Sequence, residues 1–244
     1  MSATVVFPMA GDGQRFGGTF KPFLRIGGER FIEAAAAPFI ASIPSVGGLV
    51  FVVRADHDAE FSAAAELERM FAGVPHQVVV LPGPTAGPLA TVQGALGVLP
   101  SDLPLIACDC DHALDVSAIV GIATTHPDAV AAVPVWPVTV AEVASWSVAA
   151  LDDSGRVLQV REKAWPTVPS ATQAGVIGCY WLRDPGLIMG RIETGFADLL
   201  EVLVARGDEV VSVRPQWAEF FGDPARLAEA ERGRAAAGTG GHAR

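Results

Sequence analysis

Four short apolar runs in the first half of the chain constrain its fold more than any other feature. They are Val5-Val6-Phe7, Leu49-Val50-Phe51-Val52-Val53, Gln77-Val78-Val79-Val80-Leu81 and Leu105-Ile106-Ala107-Cys108. A strand with one wet face alternates apolar and polar residues; these runs are nearly continuous, so both of their faces must be covered. The intervals between and after them suit helices at 31–41, 58–71, 85–96 and 116–125, the last with Asp115 as a candidate cap. Strand then helix, repeated, predicts a three-layer α/β/α, Rossmann-like fold with a mixed, mostly parallel central sheet.

Further strands are expected at 129–135, 147–151, 156–160 and 176–182. The turn signal Asp152-Asp153-Ser154-Gly155 marks them as antiparallel additions. A helix at 196–205, a strand at 209–213 and a helix at 224–234 complete one predicted domain over residues 1–234. The small, polar stretch 235–244 is expected to be disordered.

With 50% hydrophobic and 18% charged residues over 244 positions, such a domain can bury a large core. A net charge of −10 argues against nucleic acid or an anionic membrane as partner, so an anion must find a local positive pocket. No apolar run reaches the roughly 18 residues of a membrane span. The start, Met1-Ser2-Ala3-Thr4-Val5, lacks the basic head of a secretory leader, which predicts a cytoplasmic protein. Cys108, Cys110 and Cys179 are too few for a disulfide framework and read as buried thiols, with no ligand spacing for a thiolate metal site.

Ligands of open α/β sheets bind at the carboxyl ends of strands, and four segments fall at such ends. The first is Pro8-Met9-Ala10-Gly11-Asp12-Gly13-Gln14-Arg15-Phe16, continued by Phe20-Lys21-Pro22-Phe23. Its glycines let backbone N–H groups approach a phosphate. No Gly-Lys-Ser/Thr closes it as a P-loop, and Phe16 occupies the third glycine position of a dinucleotide fingerprint. Asp56 after the second run is a weak ribose partner, so a nicotinamide dehydrogenase is a distant alternative. The second segment is Pro84-Thr85-Ala86-Gly87-Pro88-Leu89-Ala90. The third is Asp109-Cys110-Asp111, two carboxylates one residue apart, suited to a hard cation such as Mg²⁺ that bridges phosphate oxygens; His112 beside them reads as a solvated neighbour. The fourth is Arg161-Glu162-Lys163, followed by Ala174-Gly175-Val176. Lys21 and Lys163 are the only lysines among 17 basic residues, and each falls in one of these segments. A compact ammonium differs from a guanidinium fork, which makes both candidates for sites that need a point charge.

In this order the segments resemble the nucleotidyltransferases that activate sugar 1-phosphates, the nucleotide-diphospho-sugar pyrophosphorylases. The resemblance runs from Thr4 to about Leu227. It implies transfer of a nucleotidyl group from a nucleoside triphosphate to a phosphorylated acceptor, with a sugar 1-phosphate first among acceptors, giving a nucleotide sugar and pyrophosphate. It implies nucleotide contacts from Ala10, Gly11, Gly13, Thr85 and Gly87, catalytic roles for Arg15, Lys21 and Lys163, acceptor contacts from Glu162, Lys163 and Gly175, and Mg²⁺ on Asp109 and Asp111. One departure stands out. Where the family often has a metal-binding Asp near the end, this chain has Phe220, flanked by Glu219 and Asp223.

The acceptor segment, Trp165-Pro166-Thr167-Val168-Pro169, matches no particular sugar. A phosphonate, alcohol phosphate or cyclitol phosphate is an alternative acceptor, and a non-catalytic nucleotide-sugar-binding domain is an alternative function. A homodimer stays open. The reading makes one geometric demand: both lysine nitrogens must face one shared pocket, with Asp109 and Asp111 between them.

Overall fold

The structure is a computed structural model that describes residues 2–43, 45–169, 171–193 and 195–239. The first half of the chain builds β1 (Ala3–Pro8), β2 (Arg25–Ile26), β3 (Glu29–Arg30), α1 (Phe31–Ala41), β4 (Val46–Arg54), α2 (Ala55–Phe61), α3 (Ala63–Met70), β5 (His76–Leu81), α4 (Pro88–Gln93), β6 (Leu105–Cys108) and β7 (His112–Leu114). Two short helices follow, α5 (Ser117–Val120) and α6 (Ile122–Thr125). The second half adds β8 (Ala131–Trp136), β9 (Ser147–Leu151), β10 (Val157–Glu162), β11 (Thr172–Val176), β12 (Cys179–Leu182), α7 (Phe196–Ala205), β13 (Val210–Val213), β14 (Ala218–Phe220) and α8 (Pro224–Thr239).

Among the described residues ten strands form the main sheet, in the order β10-β9-β11-β8-β12-β6-β1-β4-β5, with β13 also paired to β8. The four early apolar runs, β6-β1-β4-β5, are all parallel. The later strands β8 to β12 join antiparallel, β13 lies parallel to β8, and β12 links the two halves by pairing with β6 and β8. Alternate residues of each central strand serve opposite faces. Val5, Phe7, Leu49, Phe51 and Val53 pack with Ile32, Phe39 and Leu67 of α1 and α3. Val6, Val50 and Val52 pack with Leu89 and Val92 of α4, and Leu199, Leu200 and Leu203 of α7 fill the same side. Burial on both faces is the physical reason the runs lack polar alternation, and it makes the three layers.

Several expectations need correction. The helix expected at 58–71 is two helices, because Ser62 adopts φ 50° between α2 and α3. The helix expected at 116–125 is likewise split, at Gly121. The strand expected at 176–182 breaks into β11 and β12 around Ile177 and Gly178. The stretch 235–239, expected to be disordered, continues α8, since its alanines are strong helix formers; residues 240–244 lie outside the described residues. Among the described residues no helix is long and apolar enough to cross a membrane.

Candidate active site

The glycine loop leaves β1 at Pro8 and turns through Gly13, whose φ is 61°. A Cβ at Gly13 would overlap the Thr19 carbonyl, so two independent constraints require glycine there. Gly11 has open space where its Cβ would be, and that part of the loop presents bare backbone. A short 3₁₀ turn at Gln14–Phe16 carries Arg15, and a second at Lys21–Phe23 carries Lys21. Arg54, the last residue of β4, is buried beneath the loop. It donates to the Ala10 carbonyl at 3.1 Å, pairs with Asp12, and forks onto Asp56 at 2.9 and 2.8 Å. Sequence reading missed Arg54, although its place at the carboxyl end of an apolar strand was a usable signal.

Asp109, Cys110 and Asp111 follow β6 directly. Lys21 Nζ donates to Asp111 Oδ2 at 2.6 Å, and His112 Nδ1 lies 3.2 Å from the other carboxylate oxygen. His112 is buried, not solvated: its Nε2 is 3.6 Å from the Cys108 thiol. Burial alone would raise the Asp111 carboxyl and lower the Lys21 ammonium. Each outweighs that for the other, which keeps Asp111 well below the usual carboxylate range and Lys21 above its ordinary value.

The Asp109 carboxylate accepts no hydrogen bond among the described residues. Burial, helped by the charge of Asp111, pushes its carboxyl up to about 6. Its backbone N–H donates to the Gly178 carbonyl at 2.7 Å, so Asp109 of one half is seated against the other half. Gly178 and Gly222 leave room for the carboxylates of Asp109 and Asp111 respectively; a Cβ on either would overlap a carboxylate oxygen. Neither glycine was singled out from sequence.

Two cavities meet at this carboxylate pair. One, of 440 Å³, is lined by the glycine loop, Lys21, Arg54, Thr85, Gly87 and Thr91. The other, of 370 Å³, is lined by Trp146, Glu162, Lys163, Val176, Tyr180 and Arg226, among others. Arg15, Pro88, Asp109 and Asp111 line both. The single shared pocket expected for the two lysines is therefore two adjoining chambers, with Lys21 on one and Lys163 on the other.

Ala10, Gly11, Gly13, Thr85 and Gly87 all face the first chamber. Thr85 does not cap α4. Its hydroxyl lies 2.6 Å from that of Thr91 and 3.2 Å from the Gly87 carbonyl. In the second chamber Glu162 accepts from the Ser147 hydroxyl and lies 3.5 Å from Lys163 Nζ. Lys163 itself adopts φ 53°, a left-handed conformation uncommon for a side chain of its size.

Other expected site residues stand elsewhere. Gly175 does not line the chamber; its missing Cβ admits the Trp146 ring, whose carbons begin 2.7 Å from where a Cβ would sit. The segment around Trp165-Pro166-Thr167 folds back onto β10 and β11, with the Thr167 amide donating to Gln159 at 2.7 Å. Glu219 is bound by Arg234 at 2.6 and 3.0 Å, Asp223 caps the amides of Ala225 and Arg226 at 3.0 Å, and neither lines either chamber. Phe220 packs edge-on against Trp136 and Trp146. No group of three or more metal-ligating side chains is assembled among the described residues.

Residues 5–168 match the family described as MobA-like NTP transferase domain. The chain belongs to the MobA-like NTP transferase domain family. Solved structures agree with that fold. A nucleoside-diphosphate-sugar pyrophosphorylase from Vibrio cholerae RC9 is 19% identical, with a TM-score of 0.75 over 93% of this chain and 99% of that one. A UDP-glucose pyrophosphorylase solved with UDP-glucose is 16% identical, with a TM-score of 0.78 over 97% and 100%. A UTP-bound UGPase from Acinetobacter baumannii is 17% identical, with a TM-score of 0.73 over 96% and 93%. No curated protein matches the chain. As a MobA-like NTP transferase, the protein is a nucleotidyltransferase in fold and family.

Proposed function

We propose that this protein transfers a nucleotidyl group from a nucleoside triphosphate to a phosphorylated small molecule, a sugar 1-phosphate first among candidates, and releases pyrophosphate. The observation that carries this reading is the pair of chambers sharing Asp109, Asp111 and Arg15, with one lysine on each side. The acceptor phosphate oxygen attacks the α-phosphorus in line, and the bond to the pyrophosphate oxygen breaks. Both reactants are anions, so positioning and charge neutralisation do most of the catalysis.

In this reading the loop amides at Ala10, Gly11 and Gly13, with Arg15, hold the β- and γ-phosphates. Thr85 and Gly87 face the nucleoside. Lys21, already steered by Asp111, neutralises charge at the α-phosphate. Lys163 holds the acceptor phosphate, and Glu162 accepts from acceptor hydroxyls.

The donor set fits Mg²⁺, which takes few protein carboxylates and keeps other positions for water and phosphate oxygens. Asp109 is the open ligand, because its carboxylate has no hydrogen-bond partner while both oxygens of Asp111 are engaged. Bound there, Mg²⁺ would supply charge neutralisation and alignment of phosphate oxygens.

The test is a pyrophosphate-release screen that crosses four triphosphates with sugar 1-phosphates, phosphonates, and alcohol and cyclitol phosphates. Release with a sugar 1-phosphate supports the reading, and release only with another class moves the acceptor there. Silence with every pair would favour a non-catalytic nucleotide-sugar-binding domain, the reading that Phe220 in place of an acidic side chain supports.

A further inference from the structure

One cation on the acceptor side has no part in that scheme. Arg226, in the first turn of α8, lines the acceptor chamber and not the nucleotide chamber. Its guanidinium lies 4.9 Å from the centre of the Trp146 ring and 5.7 Å from that of Phe220. These two rings meet edge to face at 5.1 Å, and Trp136 buttresses Phe220 at 6.0 Å. The side chain is 26% exposed, and its carboxylate neighbour within ion-pair distance is Asp223, 3.6 Å from Nε. That carboxylate is already shared with two backbone amides. Nη1 and Nη2 of Arg226 donate no hydrogen bond among the described residues. Aromatic stacking fixes the cation yet leaves the edge of the fork free, the arrangement that suits bidentate binding of an oxyanion.

The reacting phosphate does not need this residue, since Lys163 and Arg15 face the same space. Beyond the shared pair Asp109 and Asp111, two more carboxylates face it. Glu162 is offset by Lys163 at 3.5 Å, and Asp198 sits in the first turn of α7, where the helix dipole favours negative charge. The geometry points to an acceptor that carries a second oxyanion, a carboxylate or a further phosphate, gripped by Arg226 against the Trp146–Phe220 shelf. This inference rests on the nucleotidyl-transfer reading and specifies its substrate class: an acidic or doubly phosphorylated acceptor rather than a neutral sugar 1-phosphate.

The experiment measures pyrophosphate release with glucose 1-phosphate, glucuronate 1-phosphate and glucose 1,6-bisphosphate, on the parent protein and on Arg226→Gln and Arg226→Lys. The parent is expected to favour one of the two doubly anionic acceptors by at least roughly tenfold in kcat/KM. Arg226→Gln should erase that preference by lowering the favoured rate at least about tenfold more than the glucose 1-phosphate rate. Arg226→Lys, which keeps the charge and loses the fork, should fall between. The favoured acceptor identifies the oxyanion as carboxylate or phosphate. If Arg226→Gln melts well below the parent, the Arg226→Lys ratio decides. Equal kcat/KM for all three acceptors on the parent, or equal losses across them in the variants, overturns the inference and leaves nucleotidyl transfer standing. No release with any acceptor counts against both.

Discussion

Lys21 and Asp111, 90 positions apart in the chain, meet at 2.6 Å where the first and fourth apolar strands end. The pair places the ammonium at the boundary of the two chambers before any substrate arrives. Loss of Lys21 therefore removes a preorganised charge. Lys21→Ala is expected to lower kcat by about 10²–10³, or roughly 2.7–4 kcal/mol of transition-state stabilisation. Single-turnover rates at saturating triphosphate measure this, and a loss under tenfold would remove Lys21 from the chemistry.

Lys163 makes a different prediction because its backbone is left-handed, φ 53°. A side chain in that region costs on the order of 1 kcal/mol that glycine does not pay in strain. Lys163→Gly should melt at or above Lys163→Ala, while both lose turnover by about 10² or more. Calorimetry paired with initial rates separates the two effects. A glycine variant that melts clearly lower would mean the conformation is not strained.

Gly178, which lines the acceptor chamber, is expected to act through Asp109. Gly178→Ala puts a methyl group into the carboxylate and should raise the Mg²⁺ concentration needed for half-maximal rate by about tenfold, as loss of a group that orients a metal ligand does. A Mg²⁺ titration of the variant against the parent reads this directly. Unchanged half-saturation would show that Asp109 accommodates the methyl by rotating away, and that the metal does not depend on its position.

The three thiols give a test that needs no substrate. Burial pushes Cys110 up to about 12 and Cys108 well above its ordinary value. Since the thiolate is the nucleophile, iodoacetamide at pH 8 should label native Cys108 and Cys110 far more slowly than the urea-unfolded chain. The linkage has a sign. Between about 9, the unfolded thiol's value, and about 12 the native state still holds the Cys110 proton that the unfolded state has lost, so this residue lowers stability as pH rises through that window. Replacing it with alanine should flatten the alkaline fall in melting temperature; an unchanged slope would assign the fall to other groups.

Arg54 is predicted to tune the triphosphate loop. Arg54→Ala releases the Ala10 carbonyl and Asp12, so KM for the triphosphate should rise by about tenfold or more, with KM for the acceptor moving less. Equal rises in both constants would indicate general loosening.

The strands of the parallel core were legible because continuous apolar runs carry their own signal, and α1 and α7 matched the expected bounds residue for residue. What escaped was set by tertiary contact. β7 and β14 are three residues each and exist because His112–Leu114 pairs with Ala218–Phe220 from the far end of the chain. The break at Ser62 has no glycine or proline to announce it. At the site, charged residues in short loops drew attention, whereas Gly178, Gly222 and Trp146 matter for the space they leave or fill. Arg226 lies one turn into a helix whose pattern gives it no distinction, and only the rings beneath it reveal its orientation.

Asp109 and Asp111 line both chambers. A charge that enters one chamber changes the potential felt in the other, so on the proposed reading the two substrates would not be independent guests. Linkage then requires reciprocity: whatever factor the triphosphate applies to acceptor affinity, the acceptor applies to triphosphate affinity. The boundary at which the reactants would meet is also what would let each sense the other.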